Sequence, residues 1–283
     1  MQVSQLWRYP VKSMVGGRVD SIEVGELGIV GDRTWAARDL ERGGIRGAKK
    51  IGSLMRLAAR DIDDGHVEIT LPDGSTVRSN DDDLDERVSA ALGRRVQLER
   101  LRPAADLDHY RRGAPDSDDV VNELRAIFGR DEHEPLPDFS IFPPIITEFE
   151  SPPGTYYDVF PLLMMTEAAL RALASALPDS NVDICRFRPS MVIDTGDDGT
   201  NASFPGHPEF EWRGRRATIG TATVEFGPPC PRCVMVTREI DDEIPTDRAV
   251  LRHIVRDLDQ NLGVYATIIT PGAVRVGDRL SFV

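Results

Sequence analysis

Residues 18–28 of the chain read RVDSIEVGELG, in which polar and apolar side chains alternate over residues 18–24 before a turn at residues 25–28. Alternation with a period of two is typical of a strand with one buried face, and the glycines mark the turn that ends it. The same pattern recurs at residues 3–8, 34–38, 66–71 and 96–101. Short strands at this spacing favour a barrel or a sandwich over a doubly wound sheet.

Helical spacing of apolar side chains is the second pattern in the first half. It predicts a helix over residues 84–92 that ends at Gly93, and another over residues 120–128 that ends at Gly129. The second helix lies in residues 103–153, a stretch rich in proline and acidic side chains. We interpret residues 103–153 as a segment that connects two domains.

The second half of the chain mixes strands with longer helices. The predicted elements are a strand at residues 159–165, a helix capped by Thr166, a strand at residues 186–194 interrupted by Pro189, a strand at residues 234–240, an amphipathic helix over residues 246–262 and strands at residues 264–270 and 274–283. The expected fold is α+β and β-rich, with two β-barrel-like domains and a few helices packed on them.

Composition limits the classes of partner. The chain has 283 residues and a formal net charge of −13, from 34 Lys and Arg against 47 Asp and Glu. This acidic balance argues against a general nucleic-acid binder, which needs a basic face to neutralise phosphates. No apolar run approaches the roughly 20 residues of a membrane helix, and no secretory signal is visible. We therefore expect a cytoplasmic protein that binds neither nucleic acid nor membrane.

Several common catalytic signatures do not occur in the sequence. It contains no GxxxxGK[ST], GxGxxG, HExxH or GxSxG motif. Nucleotide hydrolysis, Rossmann-type redox chemistry, zinc proteolysis and the α/β-hydrolase mechanism therefore lack their usual marks. Three cysteines are also too few for a disulfide framework of the small secreted kind.

The most concentrated candidate site is Cys230-Pro231-Arg232-Cys233. A zinc half-site would need two more ligands, whereas Cys185 is solitary and the five histidines are scattered. A thioredoxin-type motif opens a helix, whereas the residues after Cys233 predict a strand. Two interpretations compete most strongly: a structural pair of small buried side chains, or a thiolate ligand for a soft transition metal beside an arginine that holds an anionic cofactor.

Lysine is rare in this chain, where it occurs only as Lys12, Lys49 and Lys50 among 34 Lys and Arg residues. A compact, rotatable ammonium suits a phosphate, so these positions are candidates for an anion site. The alternative is chance placement on surface loops.

These motifs, in this order, resemble the MOSC proteins, which are named for the C-terminal domain of molybdenum cofactor sulfurase. The resemblance rests on residues 6–13 (LWRYPVKS) paired with residues 229–233 (PCPRC). Supporting motifs lie at residues 31–35 (GDRTW), 48–49 (AK), 166–170 (TEAAL), 187–190 (FRPS), 212–215 (WRGR), 219–220 (IG), 271–272 (PG) and 276–278 (VGD). In the two-domain form, as in the mitochondrial amidoxime reducing component and its bacterial relatives, an N-terminal β-barrel domain precedes the MOSC domain. The resemblance implies domains over residues 1–102 and 154–283.

The resemblance also implies a role for each matching residue. Cys233 would bind molybdenum, and Arg188 and Arg232 would hold the phosphate or the ring system of the pterin. The residues that would reach the cofactor from the first domain are Lys12, Ser13, Arg33 and Lys49. Two departures leave substrate preference open: Pro231 stands where eukaryotic members have serine, and Lys49 where they have arginine.

The expected function is therefore that of a molybdenum-cofactor oxidoreductase. It would reduce small N-hydroxylated or related N–O compounds with Cys233 as the metal ligand, and a separate protein would donate the electrons. The alternative is a molybdenum cofactor carrier or a sulfur-transfer module, in which Cys233 would accept a persulfide without reductase turnover.

Overall fold

The computed structural model describes residues 1–196 and 203–283. Its strands are β1 (Gln2–Arg8), β2 (Gly17–Val19), β3 (Ser21–Gly25), β4 (Gly28–Ile29), β5 (Trp35–Asp39), β6 (Ala58–Asp61), β7 (Val67–Thr70), β8 (Thr76–Arg78), β9 (Val96–Arg100), β10 (Leu162–Thr166), β11 (Met191–Asp194), β12 (Arg216–Ile219), β13 (Ala222–Pro231), β14 (Asn261–Thr270), β15 (Gly272–Arg275) and β16 (Leu280–Phe282). Its α-helices are α1 (Leu84–Leu92), α2 (Leu107–Tyr110), α3 (Val120–Phe128), α4 (Glu167–Ala176) and α5 (Arg248–Asp257). None of these helices is long and apolar enough to cross a membrane.

The largest sheet has eight strands in the order β16-β12-β13-β14-β10-β11-β1-β2. Most of its strands come from the second half of the chain, but β1 pairs antiparallel with β11, where Leu6 lies opposite Met191. Strands β10 and β11 run parallel, so the chain must cross over between them, and α4 lies in that connection. The first strand of the chain is therefore part of a sheet built mostly by the second half.

Three smaller sheets complete the structure, with the orders β15-β3-β4, β5-β9 and β6-β7-β8. One core lies among the strands and helix of the first half, and it includes Leu54 and Val88. A second core, which includes Val264, lies under the large sheet. Ile240 and Ile244 belong to the second half of the chain but pack into the first core.

The described residues combine many strands with five α-helices, which confirms the expected mixture of strands and helices. Closure of either half into a barrel is not established by the strand pairings and stays a prediction, as does the division of the chain at residues 102 and 153.

The helix ends that local sequence signals mark were predicted correctly. Helices α1 and α3 have the predicted bounds, and Gly93 and Gly129 end them in the left-handed conformation, with φ of 64° and 62°. Thr166 caps α4, because its side chain accepts the backbone N–H of Ala169. These signals are short-range, so the sequence shows them directly.

The predicted strand over residues 234–240 is wrong. A short 3₁₀ helix, Val234–Thr237, follows Cys233 instead, and residues 238–240 are irregular. The run Val-Met-Val-Thr has the composition of a strand, but no strand within residues 1–196 and 203–283 pairs with it, and tertiary contacts set its conformation. The structure thus removes the strand as an argument against a thioredoxin-type motif, although a single turn of four residues is not the full helix that such a motif opens.

Other predicted bounds shift for similar reasons. The strand predicted over residues 186–194 begins only at Met191, after Pro189, and the strand predicted over residues 159–165 is Leu162–Thr166. Helix α5 is shorter than predicted because Asp247 caps it and it ends at Asp257. The last predicted strand is divided into β15 and β16 by a turn.

Candidate functional site

All the predicted site residues lie on loops, and most of them adjoin strands of the large sheet. Lys12 and Ser13 follow β1, Arg188 precedes β11, and Cys233 follows β13. Ser13, Arg33 and Arg188 have left-handed backbones, with φ of 69°, 50° and 55°. Non-glycine residues in such sparsely populated conformations cost about 1–3 kcal/mol each and persist only where surrounding contacts hold them.

Lys12 is buried, and its ammonium is held inside the protein. Nζ donates to the backbone carbonyl of Tyr156 at 2.8 Å and to Oδ1 of Asp158 at 2.6 Å. The second carboxylate oxygen of Asp158 lies 2.8 Å from Nζ of Lys49. Desolvation disfavours this carboxylate, but Lys12 and Lys49 outweigh it and hold the pKa of Asp158 well below its usual range. One carboxylate therefore bridges two of the three lysines that the sequence singled out, whereas Lys50 pairs with Asp116 and Glu123.

Lys49 connects this ion group to the cysteine motif. Desolvation lowers the pKa of Lys49, but attraction to Asp158 and then to Cys233 raises it by more. The Lys49 ammonium and the Cys233 thiol therefore lie within electrostatic reach of each other, although they come from opposite halves of the chain.

Ser13 fixes the segment that carries Lys49. Its Oγ accepts the backbone N–H of Ala48 at 2.9 Å. A Cβ on Gly47 would lie 2.8 Å from Oγ of Ser13 and 3.3 Å from Cε of Lys12, so a larger residue there would displace one or both side chains. The two segments of the first half are thus packed closely enough for their lysines to share one carboxylate.

Two predicted arginines lie over the ring of Tyr9. The guanidinium carbon of Arg188 lies 4.2 Å from the ring centroid, and that of Arg33 lies 5.1 Å from it. Arg33 also pairs with Asp32, and the hydroxyl of Tyr9 donates to the carbonyl of Pro189 at 3.0 Å. An aromatic face attracts cations, so Tyr9 holds the two like charges near each other.

Arg188 has a donor that no acceptor in the described part of the chain uses. Its Nη1 donates to the carbonyl of Met14, whereas Nη2 is buried and has no hydrogen-bond partner among the residues that the structure describes. Burial, followed by repulsion from Arg33, lowers the pKa of Arg188 to about 10, so the group is charged at neutral pH. A buried charged donor without an acceptor is costly, which indicates that a ligand supplies one.

The two cysteines of the motif differ in environment. Cys230 is buried at the end of β13 and accepts a hydrogen bond from Nη1 of Arg232 at 3.3 Å, and burial raises the pKa of its thiol. Cys233 is only half-buried and directly precedes the 3₁₀ helix. The structural interpretation of the pair therefore suits Cys230, whereas Cys233 is the more accessible thiol.

Arg232 is fixed between the cysteines and the loop of Arg188. Its Nη2 donates to the carbonyl of Phe187 at 2.8 Å, and its guanidinium carbon lies 5.6 Å from the centroid of the Phe187 ring. Since Phe187 precedes Arg188, these contacts connect the cysteine motif with the arginine that has the unpaired donor. Within residues 1–196 and 203–283, no three His, Cys, Asp or Glu side chains form a cluster that could hold a metal ion.

The predicted residues thus belong to one connected group, but two members were missed. Asp158 bridges the lysines, and Arg130 donates to the carbonyl of Arg232 at 3.0 Å. Aspartate is common in this acidic chain, and residues 156–158 match no motif. Arg130 follows the glycine that ends α3, a position where a basic side chain is ordinary, so the sequence offers no signal for either residue.

Two family models match the chain. The model of the MOSC N-terminal beta barrel domain matches residues 1–102, and that of the MOSC domain matches residues 153–281. The chain therefore belongs to the MOSC family, in its two-domain form. MOSC domains are associated with binding of the molybdenum cofactor in general.

Several solved structures are similar to the chain. A YuaD protein from Bacillus subtilis is 11% identical, with a TM-score of 0.45 over 99% of this chain and 94% of that chain. YiiM from Geobacillus stearothermophilus is 13% identical, with a TM-score of 0.32 over 44% of this chain and 54% of that chain. YiiM from Escherichia coli is 14% identical, with a TM-score of 0.29 over 47% of this chain and 58% of that chain. The chain has no match among curated proteins.

Proposed function

We propose that this MOSC protein binds the molybdenum cofactor through Cys233 and reduces N-hydroxylated or related N–O compounds. The observation that carries the proposal is Nη2 of Arg188, a buried charged donor with no acceptor among the described residues. It belongs to the same connected group as Lys12, Lys49 and Arg232. An anion would accept a hydrogen bond from Nη2 of Arg188, and the neighbouring cations would attract its charge.

The donor set fits the chemistry of a pyranopterin. Such a cofactor carries a phosphate and a dithiolene, so it takes cationic donors around the anion and soft sulfur at the metal. Arg188 would donate to it through Nη2, Arg232 and Lys49 would flank it, and Cys233 would supply the sulfur. When bound, the cofactor supplies redox chemistry at a metal held by a thiolate.

The other residues of the site orient these donors. Asp158 remains ionised at neutral pH, because Lys12 and Lys49 hold its pKa well below the usual range. Its carboxylate therefore fixes the two ammonium groups rather than delivering a proton. Protons that leave with water would come from solvent, which reaches the half-buried Cys233.

Reduction also requires an electron source. The chain has three free cysteines, fewer than the four that usually hold an iron–sulfur cluster. We therefore assign electron delivery to a separate donor protein, and the substrate to a small N–O compound. The charge of the chain gives no reason to include nucleic acid or membrane among its partners.

Metal and pterin analysis tests cofactor binding directly. The full chain, made in a host that synthesises the cofactor, should carry about one molybdenum and one pterin per chain. Cys233→Ser should lose the metal, and Arg188→Gln should lower cofactor retention about tenfold, because a charge-assisted hydrogen bond is lost. Arg216→Gln is the matched control, since Arg216 is 55% exposed and pairs with Glu225 across β12 and β13, without contact to the residues assigned to the cofactor. Wild-type protein without molybdenum or pterin would contradict the proposal.

Turnover separates a reductase from the alternatives. With a chemical reductant and an amidoxime, wild-type protein should form the amidine, and Cys233→Ser should be inactive. Bound cofactor without turnover of any N–O compound would instead favour a carrier. A persulfide on Cys233, found by mass spectrometry in place of molybdenum, would favour sulfur transfer.

A further inference from the structure

The connecting segment touches the residue that follows Cys233. Gly129, at the end of α3, has φ of 62°, and its Cβ position lies 3.1 Å from Cβ of Val234 and 2.8 Å from Cδ2 of Leu251. No side chain fits there without movement of its neighbours. The end of α3 therefore packs directly against the turn that carries the Cys233 thiol.

Arg130, the next residue, holds the residue that precedes Cys233. It is 5% exposed, and its Nη2 donates to the carbonyl of Arg232 at 3.0 Å. Nε and Nη2 both donate to Oε1 of Gln260 at 3.1 Å, and Nη1 donates to the carbonyl of Phe128. Every nitrogen of this guanidinium therefore has a protein acceptor, which distinguishes Arg130 from Arg188. Its contacts act on the backbone of the turn.

Gln260 fixes the second backbone polar group of Arg232. The backbone N–H of Arg232 donates to the carbonyl of Gln260 at 2.8 Å, so both backbone polar groups of Arg232 are fixed. Gln260 itself has a left-handed backbone, with φ of 70°. A non-glycine residue keeps this conformation only where contacts over-determine it, and Arg130 supplies two of them.

The segment that carries Arg130 is held by contacts to both halves of the chain. Arg252 of α5 donates to the carbonyl of Gly129 and pairs with Glu134. Towards the first half of the chain, Glu123 of α3 pairs with Lys50. These ion pairs allow Arg130 to act as a fixed support rather than as a side chain on a mobile linker.

We propose that Arg130 is a positioning residue that sets the geometry of residues 231–233 through Arg232 and Gln260, an inference that rests on the proposed function for the role of Cys233. The connecting segment, residues 103–153, then contributes directly to the geometry of the site. By fixing the backbone of Arg232, Arg130 limits the positions open to the Arg232 guanidinium and to the adjacent Cys233, the two groups that would hold the cofactor.

Hydrogen exchange in the cofactor-free full chain tests the hold on the turn. Arg130→Met should speed amide exchange in peptides over residues 230–236 about tenfold, because the charge-assisted hydrogen bonds to Arg232 and Gln260 are lost, and leave residues 84–100 unchanged. Arg130→Lys keeps the charge and should restore part of the protection. Arg125→Met is the matched control on the same segment, since Arg125 donates to the carbonyls of Asp131 and Glu134. It should exchange like wild type over residues 230–236.

Cofactor retention provides the functional readout. The half-life of bound pterin after dilution should fall about tenfold in Arg130→Met, recover partly in Arg130→Lys and stay unchanged in Arg125→Met. Should Arg130→Met unfold, Gln260→Met, which removes the shared acceptor, is expected to loosen residues 230–236 in the same way.

Unchanged exchange over residues 230–236 in both Arg130→Met and Gln260→Met would overturn the inference. An equal effect of Arg125→Met and Arg130→Met would overturn it too, since a general tether would then explain the result. If wild-type protein binds no cofactor, the proposed function fails, but the exchange measurements still decide whether Arg130 fixes the turn.

Discussion

Asp158 carries a large share of the charge balance of the site, because one carboxylate bridges Lys12 and Lys49. The Lys12 side chain is 4% exposed, whereas that of Asp158 is 42% exposed. A buried ammonium therefore depends on a carboxylate that solvent reaches. Without it, the nearest acceptor left to Lys12 is the carbonyl of Tyr156, at 2.8 Å.

Asp158→Asn should lower the free energy of unfolding by about 1–2 kcal/mol at pH 7, since a buried cation loses its counter-charge while solvent screens part of the loss. The pKa of Asp158 is lowered in the folded protein, so ionisation favours folding. This stabilisation is complete above the ordinary carboxyl pKa of 3.8 and is lost as the pH falls through the lower folded value. Urea unfolding at pH 7, 5 and 3 should show the difference between wild type and variant shrinking only below about pH 4.

Glu148→Gln is the control for that measurement. Glu148 pairs with Arg111 on the surface, where both side chains are at least half exposed, so the substitution should change stability little at any pH. A difference between wild type and Asp158→Asn that stays constant from pH 7 to pH 3 would contradict the linkage.

At this scale the sequence was informative wherever rarity or a motif marked a residue. The scarcity of lysine drew attention to Lys12 and Lys49, and both contact Asp158. Asp158 itself is one of 47 acidic residues, so nothing in composition distinguished it. The unpaired Nη2 of Arg188 depends on packing around it, which no motif encodes.

Among the elements, the segment after Cys233 is held by a fully buried arginine. Arg186 donates from Nη1 to the carbonyl of Arg238 at 3.1 Å and from Nη2 to that of Pro245 at 2.8 Å. Nη1 also donates to the carbonyl of Val236, and Nε donates to that of Asn181 at 2.9 Å. One side chain thus donates to several carbonyls of a segment that pairs with no strand among the described residues.

Arg186→Met should lower the free energy of unfolding by about 3 kcal/mol or more, because it leaves several buried carbonyls without donors. Arg171→Met is the control, since Arg171 is 62% exposed on α4 and pairs with Glu167. Denaturant unfolding of both variants measures the effect. Equal stability of Arg186→Met and Arg171→Met would show that the segment does not depend on this arginine.

Arg186 also explains why the element after Cys233 was mispredicted. Helices α1 and α3 end at Gly93 and Gly129, whose conformational freedom is a local property, so the sequence located both ends. The run after Cys233 has strand-forming side chains. However, the carbonyls of Val236 and Arg238 accept hydrogen bonds from Arg186, about fifty residues earlier in the chain. A pattern read within one segment contains no information about such a partner.

For the molecule as a whole, the two halves share both sheets and cores. Strand β1 pairs with β11, and β3 pairs with β15, so residues from each end of the chain complete the same sheets. Ile240 is 7% exposed and packs in the core of the first half. Composition and proline content suggested where the chain divides, but pairing between strands so far apart in sequence leaves no local mark.

This sharing predicts that the two halves unfold together. Two single-tryptophan versions of the full chain report on them separately: Trp35 lies in the first core and Trp212 in the second. Urea unfolding followed by fluorescence should give the same midpoint for both, as expected for one cooperative unit.

Ile240→Ala should shift both midpoints equally, because it removes about 2–5 kcal/mol of packing from a core that both halves build. Ile269→Ala, at a position 43% exposed, should shift neither. Separate midpoints, or an Ile240→Ala effect seen by Trp35 alone, would show instead that each half unfolds independently and that the shared strands contribute little to cooperativity.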